Sequence, residues 1–180
     1  MSVRNPQLPH LPAGQIRAVV RAPHPALSAS GLHVDPTAPD VVQLAADLVA
    51  TQAASPGCVG IAAQQVGVAQ RVFSVDVTGH PKTRTCHGLL VLCNATVLSA
   101  TRRERGREGC MSVPDFTGDV ARARRLTVRG QLPGTGEWVE LATDAFEAVA
   151  MQHEIDHTDG LLFLDRVTGP RAVHPRRTYL

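Results

Sequence analysis

No apolar run in this chain approaches the roughly 20 residues that cross a bilayer, so a membrane-spanning helix is not expected. The first stretch, Met1 to Gly14, is polar and punctuated by proline, and it lacks the apolar segment of a secretory signal. The four cysteines, Cys58, Cys86, Cys93 and Cys110, show no C-x-x-C spacing. Without a secretory signal they read as free thiols in a reducing, cytoplasmic setting. Lysine is nearly missing, Lys82 being the only one, and the other basic side chains are arginine; this reflects base composition, not a phosphate-binding device. A formal net charge of +2 is too small an excess to argue for a nucleic-acid partner. Aromatic residues make up 3% of the chain, while the hydrophobic fraction, 43%, is that of an ordinary soluble domain. There is no internal repeat and no internal linker. With 180 residues the expectation is a single domain over 15–180, preceded by a mobile arm over 1–14.

Local signals place the elements. After an irregular stretch from Ala22 to Pro36, Thr37-Ala38-Pro39-Asp40 predicts a helix start with Thr37 as cap and proline in the first turn. Val41, Leu44, Ala45 and Leu48 then form one apolar stripe on a helix running to about Gln52. Arg71–Val77 and Leu89–Cys93 read as strands. The basic run Arg102 to Arg107 reads as a solvated loop or strand edge. Leu126–Gln131 and Glu137–Ala142 suggest a hairpin about Pro133-Gly134-Thr135-Gly136. Thr143-Asp144 would cap a last helix, Gly160 would end it, and Leu161 to Leu164 would fold back on the core. The tail from Gly169 is short and basic, without an amphipathic helical pattern.

Chemistry concentrates in Gln152-His153-Glu154-Ile155-Asp156-His157. On a helix of about 3.6 residues per turn, residues four apart stack on one face, so His153 and His157 aim two imidazoles at one point. The same face continues back through Ala150, Val149 and Phe146, so the pair points inward, as metal-binding histidines do. Glu154 stands about 100° further round, near enough to exchange a proton with water at such a site without being a ligand. H-E-x-x-H also arises by chance, and two histidines can equally satisfy polar groups in a core. Two further segments favour the metal. In Glu108-Gly109-Cys110-Met111-Ser112-Val113-Pro114 a cysteine is held in a constrained extended stretch, and beside a buried histidine pair its thiolate supplies a third ligand. Three protein ligands and an open position make a catalytic metal site, not a structural one. In Cys58-Val59-Gly60-Ile61-Ala62-Ala63-Gln64-Gln65 small residues permit close approach, and the Gln65 amide can donate to a developing oxyanion.

Taken in order, these three segments resemble the peptide deformylase family, which carries a G-x-G-φ-A-A-x-Q loop, an E-G-C-φ-S segment and a Q-H-E-x-D-H helix. The resemblance implies a single α+β domain, mixed or antiparallel sheets wrapped round a metal-bearing C-terminal helix. It also implies a hydrolase that removes the N-formyl group from formyl-methionyl nascent peptides. By motif position Cys110, His153 and His157 would hold one divalent metal, ferrous iron in this family with zinc or nickel as substitutes. Glu154 would be general base and acid, and Gln65 with the Met111 backbone N–H would steady the oxyanion. Val59, Gly60, Gly109, Val149 and Ala150, with Met111, would wall an apolar slot for the methionine side chain. Asp156, turned away from the metal, is expected to pair with an arginine, Arg122 first. Two positions depart from the pattern: Cys58 replaces the first loop glycine, with an ordinary φ expected there, and Cys93-Asn94-Ala95 replaces aliphatic-Asn-Pro. No long basic C-terminal helix follows the catalytic one, which bears on ribosome docking. Two other readings stand beside this one: an enzyme of this fold diverted to another formamide, and a non-catalytic metal- or peptide-binding module.

Overall fold

A computed structural model of the chain describes residues 6–177. Six antiparallel strands form the sheet: β1 (Gly60–Ala62), β2 (Val72–Val75), β3 (Leu90–Cys110), β4 (Val113–Gln131), β5 (Trp138–Asp144) and β6 (Val173–Pro175). They pair in the order β1-β2-β3-β4-β5, and β6 joins β4 beside the start of that strand. Two helices, α1 (Pro39–Ala54) and α2 (Ala145–Thr158), complete an α+β domain.

Alternation along β2 and β3 explains why the helices lie on opposite faces. Successive strand residues point to opposite sides, so Phe73, Val75, Leu90 and Leu92 meet Met151 and Ile155 of α2. Their neighbours Val72, Val91 and Cys93 meet the α1 stripe of Val41, Leu44, Ala45 and Leu48 instead. Phe73, Leu90, Leu92 and Met151 are fully buried, each worth about 1.5–3 kcal/mol of apolar transfer. The C-terminal helix is therefore wedged against one sheet face by its apolar side. Gln152 adds a polar clamp, accepting from Ala123 N at 3.0 Å and donating to Ala123 O at 2.9 Å.

Several local expectations are corrected. Thr37 does not cap α1: its backbone N–H and hydroxyl both donate to Asp35, and Ala38 takes the cap position. Asp144 does occupy the cap of α2, but its carboxylate accepts from Thr85 N, not from the helix. The basic run of residues 102–107 is no loop but a solvated strand edge, one of the two forms expected: it lies in β3, pairs with β4 on one side, and β2 reaches only residues 90–93. The tail from Gly169, read as short and without a helical pattern, supplies β6. Gly160 closes α2 as expected, at φ 77°, and Phe163 is buried at 1% exposure where the chain turns back. Cys58 is not among the residues with positive φ, in keeping with its expected ordinary backbone. Of the stretch expected as a mobile arm, residues 1–5 lie outside the described residues. Gly14 packs on α1 so closely that a Cβ there would meet Ala46 O at 2.0 Å.

Candidate metal centre and active site

Two elements bring the ligand atoms together. β3 ends at Cys110, and a tight turn through Met111 and Ser112 sends the chain back as β4, leaving the buried Cys110 sulfur facing α2. On α2, His153 and His157 sit one turn apart with ring centroids 4.9 Å from each other. The ligand atoms of Cys110, His153 and His157 lie within 4.8 Å of one another, and Cys110 Sγ is 3.3 Å from His157 Nε2. His153 Nδ1 lies 2.9 Å from Glu108 Oε2. That bond fixes the ring and its tautomer, so Nε2 is the atom left for the cluster.

The electrostatics favour a cation at this point. Burial and the neighbouring His153 charge push the His157 pKa well below its ordinary value, which keeps an imidazole lone pair available. Burial would lower the His153 pKa too, but hydrogen bonds with the Cys110 sulfur and the Glu108 carboxylate raise it well above the ordinary value. Sulfur and carboxylate thus draw positive charge, as a proton or as a metal ion, to the same place. With two imidazole nitrogens and a thiol converging, this donor set suits zinc or iron.

Behind the cluster lies an ionic network. Arg122 grips Glu108 with two donors, Nε to Oε1 at 2.8 Å and Nη2 to Oε2 at 3.1 Å. Its Nη1 reaches Asp156, so the expected pairing of Asp156 with Arg122 is present, and Arg166 adds a second partner at 2.9 Å. Burial works against ionised Glu108, but the His153 and Arg122 hydrogen bonds win and hold its pKa at about 2. Glu108 was not picked out for a role from the sequence. The signal available was its place two residues before the ligand cysteine.

Glu154 is 3% exposed and lies over Gly60, where a Cβ would come within 2.5 Å of its Oε1. Burial first of all, with the Glu108 charge adding to it, raises its pKa to about 7 against the pull of His153 and Arg122. A carboxyl group poised near neutrality both takes and returns a proton. Gln65, in a 3₁₀ turn over Ala63–Val66, accepts from Ala62 N at 3.0 Å. Its amide nitrogen is thereby aimed at Cys110 Sγ, 3.4 Å away, and at Ser112 Oγ.

These groups share one cavity of about 390 Å³. Val59, Gly60, Gln65, Gly109, Cys110, Met111, Val149, Ala150, His153 and Glu154 all line it, so the residues expected to serve catalysis, metal binding and the slot meet there. His157 alone of that set reaches the cluster from behind, fully buried. Sequence reasoning missed His80, Arg107, Thr117 and Arg176 on the cavity wall. Only His80, next to a turn and stacked on Phe146, had a local signal.

A three-donor centre beside a buried carboxyl raised toward neutrality and an amide donor is the arrangement of a mononuclear metallohydrolase. The sequence profile described as "Polypeptide deformylase" matches residues 16–172. The peptide deformylase of Halothermothrix orenii is 38% identical over 157 residues, covering 87% of this chain and 95% of the relative. That of Desulforudis audaxviator is 40% identical over 151 residues, covering 83% and 92%. Among solved structures, a Met-Ala-Ser-bound class I type b peptide deformylase from Acinetobacter baumannii superposes with a TM-score of 0.76 at 31% identity, over 84% of this chain and 99% of that one. The chain belongs to the polypeptide deformylase family.

Proposed function

We propose that this chain removes the formyl group from formyl-methionyl peptide N-termini by hydrolysis, releasing formate and the free amine. One observation carries the reading: Cys110, His153 and His157 converge within 4.8 Å at the floor of a cavity that Glu154 and Gln65 line. Cys110 Sγ and the two histidine Nε2 atoms would hold a divalent ion, which would supply Lewis acidity and bring the acidity of water toward neutral pH. Ferrous iron is the ion we assign, on the family resemblance and the thiolate ligand, with zinc or nickel able to substitute. The thiolate also makes the site sensitive to oxidation.

The chain's own residues do the rest. Glu154 takes the proton of the attacking water as oxygen adds to the formyl carbon. Negative charge then gathers on the formyl oxygen, where Gln65 Nε2 and the Met111 N–H donate. Glu154 returns its proton to the amide nitrogen, the C–N bond breaks, and formate and amine separate. Val59, Gly60, Gly109, Val149 and Ala150 hold the methionine side chain beside this centre. The substrate is a nascent chain, so we place the enzyme in the cytoplasm near the ribosome. No helix among the described residues is long and apolar enough to cross a membrane.

Glu154→Gln tests the mechanism. It should keep near-full metal and still bind a hydroxamate inhibitor, yet lose at least about a hundredfold in turnover of formyl-Met-Ala under anaerobic conditions. Cys110→Ala, by contrast, should lose the metal itself. A Glu154→Gln enzyme working near the wild-type rate would remove Glu154 from the role of base.

A further inference from the structure

Arg176 stands out on the cavity wall because nothing in the sequence motifs accounts for it. It follows β6, and its backbone N–H donates to Asp115 O at 2.8 Å, so its position is fixed by strand pairing. Its guanidinium lies across Gly109: a Cβ at that glycine would meet Nη2 at 2.1 Å and Cζ at 3.1 Å. Among the described residues its one side-chain hydrogen bond is long, from Nη2 to Cys110 O at 3.5 Å. Among the described residues no carboxylate pairs with it.

Apart from Glu154 on the floor, the other acidic and arginine side chains of the wall are taken. Arg107 donates to Asp119 at 2.7 Å and to Thr117 at 3.2 Å. Asp119 is shared again with Arg105 and His174. Glu108 is held by Arg122 and His153. This rim therefore carries a surplus of positive charge, and Arg176 is its member without an acid. The reacting groups, Cys110 and Glu154, form the buried floor at 4% and 3% exposure, whereas Arg107 and Arg176 keep contact with solvent. A peptide whose formyl end reaches the floor must pass its following residues along the rim.

We infer that Arg176 is a specificity-determining residue, a subsite for a carboxylate carried by the residues just after formyl-methionine, an inference that rests on the deformylase reading above. The carboxylate is either an Asp or Glu side chain or the free C-terminus of a very short peptide. A planar guanidinium with an open donor edge matches both.

Four peptides separate the sources on the full-length, metal-loaded chain: formyl-Met-Glu-Ser-amide, formyl-Met-Lys-Ser-amide, formyl-Met-Ala-Ser-amide and formyl-Met-Ala-Ser with a free terminus. The glutamate peptide should exceed the lysine peptide about tenfold in kcat/KM, mostly through KM, and ~0.5 M salt should shrink the ratio. The free-terminus peptide should exceed its amide if the terminal carboxylate also reaches the subsite. Arg176→Glu should invert the order of the charged pair, and Arg176→Lys should keep its sign with a smaller ratio. Calorimetric binding of the products Met-Glu-Ser-amide and Met-Lys-Ser-amide should follow the same order, without turnover. Equal wild-type values for the charged pair, or a preference that Arg176→Glu leaves intact, would overturn the assignment of Arg176 while the deformylase reading stands. No turnover of any of the four would overturn both.

Discussion

Replacing Arg122 by methionine separates two jobs that its ionic network performs. Arg122 is 5% exposed and faces Glu108 and Asp156, which are 8% and 6% exposed. Without it, Glu108 keeps only the His153 contact and Asp156 keeps only Arg166. Removing one partner of a buried ion pair costs about 3–5 kcal/mol, because a charge is left desolvated without compensation. Arg166 still serves Asp156, so about 3–4 kcal/mol is the expectation. Arg166→Met is the control: that side chain is 45% exposed, and removing it should cost about 0.2–1 kcal/mol. For a chain of this size these losses correspond to roughly 6–16 °C against at most about 4 °C in Tm. The assay is urea unfolding of both proteins with metal removed by chelator, so that metal binding does not add to folding stability. A metal titration then follows, where Arg122→Met should bind about 10–100-fold more weakly, since the carboxylate that orients His153 has lost its own anchor. Equal stability losses in the two variants, or an Arg122→Met protein as stable as wild type, would refute the reasoning.

Gly60→Ala would place a methyl group 2.5 Å from Glu154 Oε1; it should retain metal yet lose about ten- to a hundredfold in kcat as the carboxylate is pushed aside, and an unchanged kcat would count against the placement. Glu147 accepts from His87 N at 2.7 Å and from Thr143 at 2.7 Å. Burial opposes its ionisation, but the His87 and Thr143 bonds hold its pKa at about 2 against an ordinary 4.5. A depressed carboxylate pKa stabilises the fold above the unfolded value and loses that contribution as pH falls through the folded one. Glu147→Gln should therefore be less stable than wild type by about 1.5–3 kcal/mol at neutral pH, with the gap in urea midpoints closing between pH 4.5 and 2; a gap independent of pH would contradict the assignment. Finally, burial of the methionine side chain in the apolar slot should make formyl-Met substrates better than formyl-Gly ones by about tenfold or more in kcat/KM, and equal efficiencies would point to a different formamide as substrate.

How much of the fold was legible follows from where its apolar residues stand. α1 was readable because Val41, Leu44, Ala45 and Leu48 form one stripe and all four are buried. The buried starts of β2 and β3 were readable as short apolar runs. The outer half of β3 was not, because residues 96–105 are exposed and largely polar or charged, and no period-two apolar pattern exists there to find. Backbone pairing to β4 makes that arm a strand, and a hydrogen-bond ladder leaves little trace in side-chain chemistry. Thr37 failed as a cap for a local reason: Asp35 captured its hydroxyl and N–H in a turn before the helix could use them.

The site divides along the same line. Ligands on one helix, His153 and His157, announce themselves by spacing, and Asp156 could be paired with Arg122 because helix geometry turns it from the metal toward β4. Arg107 and Arg176 announce nothing, since an arginine in a basic stretch looks alike whether it meets water or a cavity. Their position depends on long-range register, Arg107 through β3 against β4 and Arg176 through β6 against β4. The metal-binding groups and the carboxyl proposed for proton transfer thus come from short segments with readable spacing. The group that would choose among peptides, Arg176, comes from strand pairing across more than fifty residues, Asp115 O to Arg176 N being the bond that sets it. A substitution at Arg176, just after β6, should therefore change the charge that a peptide meets at the rim while the metal-binding groups at the floor of the cavity stay in place.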